Sequence, residues 1–229
     1  MTTNELAAAS PLRRLEKEGA LLSRGNLGLV LSPAGVGKTA FVVQVAIDAM
    51  LQKKPVLHVS LGDSIDKITL WYRELFHNLA EYHSIGGAEE IWQTILPWRF
   101  IITFKIAKFS APVLEERLSD LREQDIFHPS IVVIDGLSQG ESEGASVIEI
   151  KDLAETHNLS VWVTANIDED DERDSMGIPL RLYPSIEIFE KILELVPGEG
   201  TIAVALLKGK PPGDERLHLD PSTMLIKND

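Results

Sequence analysis

The stretch SPAGVGKTAF, from Ser32 to Phe41, spaces its residues to hold a phosphate. A phosphate loop follows the pattern G-x-x-x-x-G-K-[ST], and Gly37-Lys38-Thr39 close it. Ser32 takes the place of the opening glycine. Pro33 fixes its own φ and biases Ser32 toward extended geometry, which suits a residue leaving a strand. Gly35 and Gly37 supply freedom deeper in the loop. Ala34, Gly35, Val36 and Gly37, with the N–H groups of Lys38, Thr39 and Ala40 at a helix start, form the expected cradle for a nucleotide β-phosphate. The Lys38 ammonium would reach the β- and γ-phosphates, and the Thr39 hydroxyl would bind Mg2+.

A second carboxylate-bearing stretch, IVVIDG, ends an apolar run in Asp135. Ligands in α/β folds bind at the carboxyl edge of the sheet, so Asp135 is expected to hold the Mg2+ water shell beside Thr39. Asp63 and Ser64, in LGDSID, stand where a helix begins, and either could cap it.

These residues need a scaffold, and the chain alternates the elements to build one. Leu27–Leu31 is a short strand running into the loop, and Thr39–Lys54 a helix with Gln44, Asp48 and Gln52 as a solvent stripe. VLHVSL is a strand. The next helix, SIDKITLWYRELFHNLAEY, turns Ile65, Ile68, Tyr72, Leu75, Phe76 and Leu79 inward. RFIITF, SIVVID and VWVTAN are further strands, separated by helices in APVLEERLSDLREQ and SVIEIKDLAETHN. Strands apolar on both faces and joined by helices imply a parallel sheet covered on both sides. Toward the end, FEKILELVPGEGTIAVALLKGK reads as a hairpin turning at Pro197-Gly198-Glu199-Gly200, although its first arm also fits a helix. The whole is one α/β domain: a helical lead-in over 1–19, broken at Pro11, a core over 20–210 and a tail over 211–229.

With 22 Lys and Arg against 35 Asp and Glu, the net charge is −13, which disfavours broad binding to nucleic acid. Cysteine is absent, so there is no disulfide framework or thiolate metal site. No stretch approaches the length of a membrane span, and the N-terminus lacks the charge order of a signal peptide. A cytoplasmic protein is expected. The acidic run Asp168–Asp174 lacks the spacing of a calcium loop and reads as a solvated, mobile loop.

Four stretches in order, SPAGVGKTAF, VLHVSLGDS, SIVVIDG and TIAVALLKGK, resemble the RecA superfamily of P-loop ATPases, in its KaiC- and RadA-like branch. The resemblance runs from about Glu18 to Lys210. It implies a RecA-like core with a mostly parallel sheet and a C-terminal hairpin, ATP and Mg2+ as ligands, and a homo-oligomeric ring, of the hexameric kind, or a filament, with ATP between neighbours. It also implies that Lys208 and Lys210 occupy the place of a Lys-x-Arg pair reaching the γ-phosphate held by the adjacent subunit. Lys210 stands where the family has arginine, a point charge in place of a planar fork. The water-polarising glutamate of the family is replaced by Gly62-Asp63, leaving Asp63 as the candidate base, shorter and displaced by one position. Thr164 and Asn166 fall where related proteins place a polar γ-phosphate sensor. Were the loop after this strand to face a central channel, as in related proteins, its acid would exclude DNA.

Two readings stay open. One is an ATPase of slow turnover; the other is an ATP-binding regulatory or scaffold protein that does not hydrolyse ATP and acts through an unidentified protein partner. A small P-loop kinase fits less well, because the chain has a hairpin and a basic pair in place of an arginine-rich lid.

Overall fold

The computed structural model describes residues 2–16, 20–137, 144–168, 170–175, 177–209 and 217–228. Its strands are β1 (Leu27–Ser32), β2 (Val56–Leu61), β3 (Arg99–Phe104), β4 (Ile131–Leu137), β5 (Ser160–Asn166), β6 (Phe189–Pro197), β7 (Ile202–Lys208), β8 (Leu217–Leu219) and β9 (Ile226–Asn228). They form one mixed sheet in the order β3-β2-β4-β5-β1-β6-β7-β8-β9. The first six in that order pair in parallel, and β7, β8 and β9 are added antiparallel. The helices are α1 (Thr3–Ala8), α2 (Lys38–Leu51), α3 (Ile65–Tyr82), α4 (Ala88–Ile95), α5 (Ala111–Glu123) and α6 (Gly144–Thr156). The fold is thus α/β with a large, mostly parallel sheet covered on both faces, as expected. No helix among the described residues is long and apolar enough to cross a membrane.

Successive residues of a strand point to opposite faces, and this decides where each polar side chain goes. Leu27, Leu29 and Leu31 of β1 pack into the core under α5 and α6, whereas Val30 packs into the core under α2, α3 and α4. The same alternation puts Val132 and Ile134 of β4 on the α5–α6 face and Val133 on the α2 face. Asp135, two residues on from Val133, therefore points to the face that carries α2. Thr164 of β5 follows Trp162 onto that face for the same reason.

Several expectations need correction. The stripe Gln44, Asp48 and Gln52 is not a solvent face: Asp48 is only 3% exposed, and Gln44 and Gln52 are half-buried. The Arg13 guanidinium, on a 3-10 turn over Pro11–Leu15, pairs with Asp48 and with Glu16. At the other end of the stripe, the Gln44 amide donates to the Met224 carbonyl at 2.7 Å and its oxygen accepts from the Ile226 N–H at 2.7 Å. The stripe is the seat of the N-terminal lead-in and of the C-terminal strands. Residues 217–228, expected as part of a tail, instead complete the sheet as β8 and β9. Ile65 is half exposed, at the first turn of α3, so the packing face of that helix begins at Ile68. The ambiguous arm Phe189–Pro197 is a strand, held between β1 and β7. α4 starts after Gly87, in a left-handed conformation, and adds Trp92 and Ile95 to the core.

Candidate functional site

β1 delivers the chain to the carboxyl edge of the sheet at Ser32, and α2 leaves at Lys38. Between them Gly35 and Gly37 adopt φ of +80° and +122°. A side chain at 37 would be strained by that backbone, and its Cβ would meet Leu219 Cδ2 at 2.8 Å. Gly37 is the N-cap of α2 and offers no side-chain cap. The N–H groups of the first helical turn have no partner within a helix, so this end presents donors and the positive end of the dipole.

Lys38 folds back over the loop. Its ammonium donates to the Ser32 carbonyl at 3.0 Å, the Ser32 hydroxyl at 2.9 Å and the Pro33 carbonyl at 3.0 Å. Ser32 therefore does more than tolerate the opening position: its buried hydroxyl helps seat the lysine. Burial lowers the Lys38 ammonium from its usual value to about 8, and Asp135 nearby pulls it partly back up. The cation is held by neutral oxygens in a desolvated place, a setting that an anion would relieve.

Asp135 is nearly buried and accepts two short hydrogen bonds. The Thr39 hydroxyl donates to Oδ2 at 2.7 Å, and the Thr164 hydroxyl donates to Oδ1 at 2.6 Å. Thr164 in turn accepts from the Gly136 N–H at 2.8 Å. Thr164 is fully buried, so it orients the carboxylate from beneath. Asn166, the last residue of β5, is exposed at the edge and pairs in register with Ser32.

Of the two residues expected as a cap, Ser64 takes the place and Asp63 does not. Ser64 is the N-cap of α3, accepting from the Lys67 N–H at 3.3 Å, while Asp63 Oδ1 accepts from Lys67 Nζ at 2.8 Å. Ser60 lies beside Asp135 in register, so Gly62 and Asp63 continue past the carboxyl edge. Gly62 has φ of +118° and donates its N–H to the Phe104 carbonyl at 3.2 Å. That backbone disfavours any side chain at 62, so the turn itself calls for glycine there.

Lys208 is far from the loop of its own chain. β6 sets Leu29 beside Ile192, and β7 sets Ile192 beside Lys208. Lys208 is thus two strands across from β1 and three residues, or about 10 Å, back from Ser32 toward the amino edge. Its ammonium points further that way, donating to the Ile186 carbonyl at 2.8 Å and to Glu187 at 3.1 Å. Lys210 lies outside the described residues.

The sequence reading missed the arginines that close this edge. The described residues of the run Asp168–Asp174 are mostly exposed, as expected of a solvated loop, but they are anchored: Arg173 grips Glu194 of β6 with two bonds of 2.7 and 2.8 Å, and Arg181 pairs with Asp171 at 3.0 Å. The signal was an arginine inside an acidic run and a second one eight residues later. Leu219 and Met224 at Gly37 were also missed, because nothing local marks a late strand as the neighbour of an early loop. No known protein family matches the chain, and comparison with curated proteins finds no relative.

Proposed function

We propose that the chain is a Mg2+- and ATP-binding ATPase of the RecA/KaiC-like kind, slow in turnover, working as a homo-oligomer with the nucleotide at a subunit interface. The observation that carries this reading is the meeting of Lys38, Thr39 and Asp135 at one edge of the sheet. Thr39 and Asp135 offer one hydroxyl and one carboxylate oxygen, and Mg2+ is usually held by one or two such protein oxygens, with water and phosphate completing its shell. Bound there, the ion would neutralise charge on the phosphates. Lys38 and the loop N–H groups bind the β- and γ-phosphates, and Thr164 keeps Asp135 turned toward Thr39. The RecA-like assignment is supported by the four motifs in order and by the hairpin β6–β7 flanking the parallel strands. Assembly rests on the resemblance of the motifs, and Lys208, far from the loop of its own chain, leaves that nucleotide without its help.

A second reading, ATP binding without hydrolysis, is favoured by one observation: Gly62 carries no base and the Asp63 carboxylate is turned to Lys67. Steady-state phosphate release, measured with mass by light scattering with and without Mg·ATP, separates the two. Turnover that Asp63→Ala and Lys208→Ala both abolish, with assembly driven by ATP, supports the ATPase. Tight binding with no release over hours supports the second reading. Undiminished ATP binding by Lys38→Ala overturns both.

A further inference from the structure

Arg181 stands at the carboxyl end of β5. Alternate residues of β5 bond its two neighbours: the N–H groups of Val161 and Ile167 go to the Asn26 and Ser32 carbonyls on the β1 side. The carbonyl of Asn166 therefore faces the β4 side. Arg181 Nη2 donates to it at 2.6 Å. The loop lies at the end of β1 and Asp135 on β4, with β5 between them in the sheet. A phosphate chain reaching from the loop toward Thr39 and Asp135 passes over the end of β5, where Arg181 is anchored.

The two arginines of this segment are held very differently. Arg173 is fixed by a bidentate grip on Glu194, a nearly buried carboxylate, and by the Gly177 carbonyl at 2.9 Å. Arg181 has a single contact to a carboxylate, Asp171, and its side chain is 31% exposed. Asp171 itself is 16% exposed, and a single half-buried pair of this kind exchanges its partner more readily than the bidentate one at Arg173. The backbone on either side is secured, with the Leu180 N–H bonded to the Glu172 carbonyl at 2.8 Å and Leu182 buried. The guanidinium is thus held from a fixed base by two bonds from one nitrogen, to the Asn166 carbonyl and to Asp171, and its planar fork has further N–H groups that suit phosphate oxygens.

We propose that Arg181 binds the terminal phosphate of a nucleoside triphosphate seated at the loop, and that Asp171 holds it aside until that phosphate arrives. This rests on the nucleotide reading above and deepens it, because the cation comes from the same chain as the loop. Only a triphosphate has the group that can displace Asp171, so the pair sets a preference for triphosphate over diphosphate.

The test is calorimetric titration of the full chain with Mg·ATP and with Mg·ADP, for the wild type, Arg181→Ala and Asp171→Asn. Arg181→Ala is expected to weaken ATP binding about tenfold while ADP binding stays within about twofold. Asp171→Asn, which unlatches the arginine and leaves it in place, is expected to strengthen ATP binding about threefold. A wild type that binds both nucleotides, with an ATP-to-ADP ratio that neither variant moves, overturns this proposal and leaves the nucleotide reading standing. A wild type that binds neither nucleotide overturns both.

Discussion

Thr39 and Asp135 are 96 residues apart in the chain and meet at 2.7 Å, hydroxyl to carboxylate, across the end of β5. The contact joins the first turn of α2 to β4, and Thr164 completes it from below. Asp135→Asn is expected to remove the gain in ATP affinity that Mg2+ brings, about tenfold or more, and to leave binding without Mg2+ little changed. Titrations with and without Mg2+ check this. Thr164→Val strands the Gly136 N–H and one oxygen of Asp135, and its cost of about 1–3 kcal/mol is read from denaturant unfolding.

Lys38 gives the site a pH dependence on its alkaline side. Its ammonium titrates at about 8 in the free protein. An anion at the loop raises that value, since it favours the charged form. Below pH 8 both states hold the proton and affinity is flat. Above pH 8 binding takes up a proton, and affinity falls by at most about tenfold per unit. Calorimetry at pH 9 in buffers of different ionisation enthalpy measures the uptake directly, and Lys38→Met abolishes it.

His58 makes the fold sensitive to acid. Its Nδ1 lies 3.0 Å from the Tyr72 hydroxyl, and Arg99 stacks over the Tyr72 ring at 4.5 Å. Burial pushes the imidazole down from 6.5 to about 4; Asp135 acts in the opposite sense, and Arg99 lowers it further. The unfolded chain therefore binds a proton that the folded chain refuses, and stability is lost as pH falls from about 6.5 to about 4. Between pH 7 and pH 5 the loss from this group is about 2 kcal/mol. His58→Gln flattens that limb, as seen by unfolding at the two pH values.

Arg13 is the cation of a nearly buried carboxylate. Burial already raises Asp48, and Arg13 is the main influence holding it down. Arg13→Ala leaves Asp48 without its cation and is expected to cost about 2 kcal/mol at pH 7. The cost shrinks at pH 5, where the carboxyl takes a proton more readily. Asp48→Asn in the same background recovers most of it, which separates the charge effect from lost packing.

Most of the scaffold was legible because its signals are local. The strand into Ser32, the helix after Lys38, the apolar run ending in Asp135 and the turn at Pro197-Gly198-Glu199-Gly200 each follow from a few adjacent residues. What failed depended on distant partners. Gln44, Asp48 and Gln52 read as a wet stripe because polar residues on a helix face usually are; their cover comes from Arg13 and from Met224 and Ile226. The cap was legible as Asp63 or Ser64 and undecided between them, because both can accept an N–H; Lys67, one turn on, pairs with the Asp63 carboxylate and Ser64 is the cap. Ser32 read as a tolerated exception at the head of the loop, and its bond to Lys38 is a contact that strand geometry alone does not disclose.

The bonds from Gln44 to Met224 and Ile226 span 180 and 182 residues. Ribosomes add about 5–20 residues per second, so α2 and its loop are made about 10–40 s before the strands that brace them. For that interval the helix carries Ile47 and Leu51, which line one pocket with Ile226 in the finished fold, with no C-terminal strand to cover its flank. The loop is among the first elements synthesised and among the last to be secured, and a nascent chain stalled before Leu217 presents that uncovered apolar helix to chaperones in place of a finished fold.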